Sequence, residues 1–258
     1  MSIDSTVLKA QDIHNIQYGS STQQIMDVYL PANRNSTTKT FILVHGGGWS
    51  GGSKSQLDYL VTLLKKEFPQ YAIVNINYRL ATAESPAFPK QIEDLQMAID
   101  FIKKSDYGVS NQFAFIGVSA GAHLAMLYSY KYDSKSEILA LASIVGPTDF
   151  TDPYYTSHPY YHYAALYLLG SVTNTQEAAI GISPAVHVSA TSAPTIMFYG
   201  GKDPMVPESQ ARRLKAKLDA FNIPNKLYLF NNGGHVNWNP QVMANFQIKL
   251  TDFLREHF

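Results

Sequence analysis

Phe113-Ala114-Phe115-Ile116-Gly117-Val118-Ser119-Ala120-Gly121 runs from a short apolar segment into a turn, and Ala122 to Tyr130 continue with a helical pattern. The segment 113–116 is apolar without alternation, so it reads as a strand covered on both faces. Gly117 to Gly121 matches G-x-S-x-G between that strand and that helix, the setting of a nucleophile elbow. The serine of such a turn is strained and exposed. Its neighbours two residues away must lack side chains, or strand and helix would collide, and here both are glycine. The pattern alone is weak, with ~0.1 chance matches expected in a chain of this composition. A second match exists, Gly48-Trp49-Ser50-Gly51-Gly52. Ser50 leads into Gly51, Gly52 and Ser53, a loop instead of a helix. Ser119 is therefore the candidate nucleophile and Ser50 its rival.

Outward from this turn the chain keeps alternating. Short apolar runs at 41–44, 72–76, 138–145, 195–199 and 227–230 read as further buried strands. Amphipathic stretches lie between them. Ile92, Leu95, Ile99 and Ile102 form one stripe; Leu214, Leu218 and Phe221 form another; Val242, Phe246, Leu250 and Phe253 form the last. The pattern predicts an α/β fold, a mostly parallel central sheet with helices on both faces and right-handed crossovers. Ahead of it, 14–18 and 24–30 flank Gly19-Ser20-Ser21 and read as an N-terminal antiparallel hairpin at the sheet edge. The length of 258 residues suits one domain, 1–258. The alternation breaks between Thr148 and Thr191, and six of the 17 tyrosines fall within 154–167. An insertion after the strand 138–145 sits where open α/β sheets bind ligands. A small helical cap insertion is expected at about 150–190. Tyr154, Tyr160 and Tyr163 are its candidate substrate contacts.

His45-Gly46-Gly47-Gly48-Trp49 closes the run 41–44. Only ~0.002 matches to H-G-G-G are expected by chance. Three glycines let the backbone approach a ligand and aim its N–H groups inward. The amides of Gly47 and Gly48 would join that of Ala120 to hold a tetrahedral oxyanion. Trp49 is a further candidate substrate contact.

A serine nucleophile needs an acid and a histidine, in the order Ser, Asp, His for this type of turn. Asp203 lies in Gly200-Gly201-Lys202-Asp203-Pro204, after the run 195–199, and His235 lies in Asn231-Asn232-Gly233-Gly234-His235, after 227–230. Both end strands on the rim that carries Ser119. His235 would take the serine proton and Asp203 would hold its tautomer. Asp149, which also follows a strand, is the rival acid. His123, four residues after Ser119, reads as buried against the sheet, and His45 as ordering the glycine loop. His158 and His162 have the i, i+4 spacing of helical metal ligands, but no acid lies between them and no third ligand is evident. No metal site is expected.

Composition excludes other classes. Lys+Arg and Asp+Glu both number 20, which disfavours a nucleic-acid partner. With 45% hydrophobic and 16% charged residues the chain is neither disordered nor membrane-spanning. Cysteine is absent, which removes thiol nucleophiles and thiolate metal sites. No dinucleotide or phosphate fingerprint follows a strand. The segment 1–10 has no basic start and no apolar h-region, so a cytoplasmic protein, or a secreted one with its signal removed, is expected.

Together HGGGW, GVSAG, the late Asp and the late His resemble the esterase/lipase group of α/β-hydrolases related to hormone-sensitive lipase. Asp27-Val28-Tyr29-Leu30-Pro31 and Asn77-Tyr78-Arg79-Leu80 resemble its short-chain branch. That branch includes acetyl, feruloyl and acetyl-xylan esterases and kynurenine formamidases. The resemblance runs from about residue 13 to the end. It implies an α/β-hydrolase fold, Ser119, Asp203 and His235 as a triad, and Gly47, Gly48 and Ala120 as oxyanion donors. It also implies a serine carboxylesterase for small or short-acyl esters, with no cofactor. The long N-terminal cap of the lipase-like members is missing here. An amide hydrolase of the formamidase type, and a non-catalytic ligand-binding α/β-hydrolase, remain the alternatives.

Overall fold

A computed structural model describes residues 8–173 and 175–258. Positions 1–7 of the N-terminal segment read above for a signal lie outside the described residues. Among the described residues the strands are β1 (Gln11–Gln17), β2 (Ile25–Leu30), β3 (Thr40–Val44), β4 (Ala72–Ile76), β5 (Phe113–Val118), β6 (Ile138–Ile144), β7 (Thr195–Gly200) and β8 (Asn225–Phe230). They form one sheet in the order β1-β2-β4-β3-β5-β6-β7-β8. β1 pairs antiparallel with β2, and β2 antiparallel with β4. Every pair from β4 across to β8 is parallel. This is the α/β-hydrolase arrangement, with the hairpin at one edge as the sequence predicted. Because β3, β5, β7 and β8 run parallel, their C-terminal ends share one rim. The loops that follow them carry His45 to Trp49, Ser119, Asp203 and His235.

Two helical layers cover the sheet, and the strand alternation of period two assigns a side chain to each. Phe41, Leu43, Ile116, Ile196 and Phe198 face one layer, built from α1 (Asp58–Glu67) and α8 (Pro240–His257). Ile42, Val44, Phe115, Leu141 and Met197 face the other. That second layer holds α2 (Lys90–Lys104), α3 (Ala120–Leu127) and, after the insertion, α7 (Glu208–Ala220). The α2 stripe of Ile92, Leu95, Ile99 and Ile102 is buried throughout. In α7, Leu214 and Leu218 are buried but Phe221 is exposed, because the helix ends at Ala220 and the stripe ends with it. The sequence reading passed over α1. Its buried Leu60, Val61 and Leu64 cover too short a stretch to stand out as a stripe.

Among the described residues the stretch without strands holds a short 3₁₀ helix, Pro184–His187, and three short α-helices, α4 (Pro153–Thr156), α5 (Pro159–Leu169) and α6 (Gln176–Gly181). Their starts are written locally. Asp152, His158 and Thr175 each accept a backbone N–H as N-caps, and Pro153 and Pro159 occupy first-turn positions. Gly170 ends α5 in the left-handed conformation at φ 76°. No helix among the described residues is long and apolar enough to cross a membrane.

Candidate active site

Ser119 occupies the turn between β5 and α3 at φ 52°, ψ −119°, a conformation disfavoured for a side-chain-bearing residue. The turn is over-determined. The Ser119 amide donates to the Ile144 carbonyl at 2.7 Å, and the His123 amide donates to the Ser119 carbonyl at 3.0 Å. A Cβ on Gly117 would overlap the backbone of Ala122, and one on Gly121 would overlap the Val44 and His45 carbonyl oxygens. The two glycines therefore let α3 start against the end of β3, where the glycine loop begins. Gly121→Ala should destabilise the fold by about 3 kcal/mol. An unchanged urea midpoint would contradict this close approach.

The loop after β3 has Gly47 at φ 117°, Gly48 at φ 57° and Trp49 at φ 62°. Among the described residues, none accepts a hydrogen bond from the amides of Gly47, Gly48 or Ala120. The Ala120 amide lies in the first turn of α3, where helix geometry leaves N–H groups free. His45 Nδ1 lies 2.6 Å from the Gly46 carbonyl, and its ring stacks on Tyr78 at 4.2 Å. Burial lowers its pKa to about 4, so it is a neutral strut of the loop.

His235 Nε2 lies 2.9 Å from Ser119 Oγ, and His235 Nδ1 lies 2.7 Å from Asp203 Oδ2. The other Asp203 oxygen accepts from the amides of Met205 at 2.8 Å and Val206 at 3.0 Å. Backbone pairing joins the acid and histidine loops, with the Gly201 amide on the Phe230 carbonyl and the Lys202 amide on the Gly233 carbonyl, both at 2.9 Å. A Cβ on Gly200 would overlap the Gly233 and Gly234 carbonyls, so this pairing needs the glycine. Serine, histidine and carboxylate thus form one hydrogen-bonded line that can move a proton off the serine. Asp149 is elsewhere. It is buried, receives Arg213 Nε at 2.7 Å, and accepts from the Thr151 amide at 2.8 Å. It ties the root of the insertion to α7.

Ser119 and His235 open into a cavity of about 660 Å³. One wall comes from the insertion, with Tyr155, Tyr160, Tyr163 and Ala164. The lining also includes Tyr59 of α1, Met243 and Phe246 of α8, and Leu57 and Trp238 just ahead of those helices. The tyrosines expected there need one correction. Tyr154 is 64% exposed and absent from the lining, while its neighbour Tyr155, buried, takes that place. Successive helical residues point about 100° apart, so only one of the pair can face the site. Tyr160 and Tyr163 do line it. Trp49 borders the cavity too, but is only 4% exposed. Its Nε1 donates to His123 Nδ1 at 3.1 Å. His158 caps α5, its Nδ1 accepting from the Tyr160 amide at 3.3 Å. Ser50 Oγ lies 2.6 Å from Tyr163 Oη, and the Tyr163 ring stands so close over Gly48 that a Cβ there would come within 2.9 Å of it. Sequence reading missed Tyr155, Tyr59, Trp238 and Met243. No motif marks them, because chain-distant elements bring them to the cavity.

Among curated proteins, the chain is 24% identical over 244 residues to the acylamino-acid-releasing enzyme of Rattus norvegicus, covering 87% of this chain and 32% of that one. It is 25% identical over 233 residues to esterase LipC of Mycobacterium tuberculosis, covering 83% and 57%. The chain thus spans less than two thirds of these curated relatives. A truncated form of a carbohydrate esterase from gut microbiota superposes with a TM-score of 0.78 at 20% identity, covering 96% of this chain and 98% of that one. The BD-FAE family model matches residues 26–218, from β2 through the glycine loop and the Ser119 turn to α7. The chain belongs to the BD-FAE family of α/β-hydrolases.

Proposed function

We propose that the chain is a serine carboxylesterase that hydrolyses small or short-acyl esters through an acyl-enzyme. The observation that carries this reading is the continuous line from Ser119 Oγ to His235 to Asp203, at 2.9 and 2.7 Å. Ser119 Oγ attacks the ester carbonyl carbon and its proton passes to His235 Nε2. Asp203 holds the Nδ1–H and balances the imidazolium. The amides of Gly47, Gly48 and Ala120 receive the oxyanion; each such donor is typically worth about 3 kcal/mol of barrier. Collapse of the intermediate breaks the C–O bond, and His235 gives its proton to the departing alcohol. Water, losing a proton to His235, attacks the acyl carbon and frees the carboxylic acid and Ser119. No step calls on a metal or cofactor, and the partner is a small-molecule ester. One domain, 1–258, carries the reaction, with 150–190 as its cap.

The cap sets the substrate class in this reading. Tyr160 and Tyr163 offer ring faces for an aryl group or a sugar and hydroxyls for its polar groups. The expected result is a preference for acetyl and butyryl over octanoyl and palmitoyl esters of one phenol. Tyr160→Ala and Tyr163→Ala should each shift kcat/KM for aryl esters by about tenfold, while Tyr154→Ala, outside the cavity, should be silent. A preference for octanoyl or longer would refute the short-acyl claim. Unchanged selectivity in both cavity variants would remove the cap from it.

A second reading keeps the same residues and changes the leaving group to an amine. It is favoured by the relative named for releasing acylamino acids. Parallel turnover of an aryl acetate and N-formylkynurenine separates the two. Labelling of Ser119 by a fluorophosphonate distinguishes both from a silent ligand-binding protein.

A further inference from the structure

The proposed oxyanion donors come from two separate pieces of chain. Ala120 stands on α3, whereas Gly47 and Gly48 stand on a loop whose backbone is three glycines long. Their spacing must be held to within a fraction of an ångström to be useful, because a 1 Å misplacement can cost about 10²-fold in rate. Glycine supplies no side chain to hold it. The first residue beyond the glycines that does is Trp49, at φ 62°, a strained conformation for a bulky residue. Its carbonyl accepts from the Ala81 amide at 2.9 Å and from Gln91 Nε2 at 2.7 Å. Its indole N–H reaches His123 Nδ1 at 3.1 Å.

We propose that His123 is the positioning residue of the oxyanion loop, setting through Trp49 where the Gly47 and Gly48 amides stand relative to Ser119 and Ala120. His123 lies one turn after Ser119 on the same helix and is wholly buried. The post that holds the loop is therefore rigid with the nucleophile. Indole nitrogen is only a donor, so Nδ1 of His123 carries no proton. The proton sits on Nε2 and is donated to the Ile182 carbonyl at 2.8 Å. One tautomer satisfies both contacts, and the second of them reaches the end of the insertion. Burial also lowers the His123 pKa to about 4, which keeps the imidazole an acceptor at neutral pH. The imidazole makes no hydrogen bond to Ser119 Oγ, whose partner is His235.

The inference rests on the esterase reading, and the test separates the two. Trp49→Phe, His123→Phe, His123→Asn and the Phe–Phe double variant are compared with the wild-type chain. kcat and KM for an aryl acetate are expressed per active site titrated with a fluorophosphonate. Trp49→Phe and His123→Phe should each lower kcat by about 10²-fold with KM within about threefold. The double variant should be no slower than either single one, since both break one bond. His123→Asn places an amide oxygen near the Nδ1 position and should recover to within about tenfold of wild type. A merely structural role would lower the melting temperature and the number of titratable sites, not kcat per site. If His123→Phe fails to fold, Trp49→Phe and His123→Asn still decide. A kcat per site within threefold of wild type in Trp49→Phe overturns the inference alone. A wild-type chain that is labelled by the probe at no serine and turns over no ester overturns the esterase reading, and the inference with it.

Discussion

Ser119→Ala is expected to lower ester hydrolysis by about 10⁴-fold or more, leaving what binding and the oxyanion amides supply alone. At about 1.4 kcal/mol per tenfold, this exceeds 5 kcal/mol of transition-state stabilisation. Ser50→Ala is expected to leave most of the activity. The physical contrast between the two serines is their partners. Ser119 Oγ faces a ring nitrogen whose other side is held by a carboxylate. Ser50 Oγ instead faces the hydroxyl of Tyr163 at 2.6 Å. Removing Ser50 therefore costs one contact between the glycine loop and α5. Initial rates on an aryl acetate, with both variants verified by circular dichroism, decide the matter. Full activity in Ser119→Ala would sink the mechanism, and loss confined to Ser50→Ala would move the nucleophile to the other motif.

Asp203→Asn is the second large effect, roughly 10⁴-fold in kcat with the fold intact. The orientation of the new amide is dictated by its surroundings. One oxygen of Asp203 accepts from the amides of Met205 and Val206. The asparagine oxygen must stay there, which turns its NH₂ toward His235 Nδ1. The imidazole then accepts at Nδ1 and carries its proton on Nε2, facing Ser119, where it cannot take the serine proton. Asp149→Asn supplies the control. It weakens the pairing with Arg213 and should lower stability by about 1–2 kcal/mol while sparing kcat. If Asp149→Asn were the more damaging to kcat, with circular dichroism unaltered, the acid would be misassigned.

Much of this architecture is legible in the residues because the constraints behind it are local. Strands buried on both faces must be largely apolar without alternation, and the runs at 41–44 and 113–116 are, while 72–76 is broken only by the buried Asn75, whose side-chain amide donates to the Lys54 carbonyl at 2.8 Å. A strained turn with a helix packed at once against the strand must have glycine at both flanks, and Gly117 and Gly121 answer that need. A loop that turns through positive φ favours residues without side chains, as at Gly47 and Gly48, at φ 117° and 57°. These requirements act within a few residues, so they leave motifs. What the motifs left open was decided by contacts between positions far apart in the chain. Whether Tyr154 or Tyr155 faces the cavity depends on how α4 lies on the body, and the sequence carries both alike. Ser50 meets Tyr163 across 113 positions, and Trp49 meets His123 across 74. The cavity lining also joins Tyr59 of α1 to Met243 and Phe246 of α8, residues more than 180 positions apart. No local pattern can encode such pairings, because each residue type is equally at home as ordinary core or surface. Packing the two helical layers on one sheet is what brings them to the same rim.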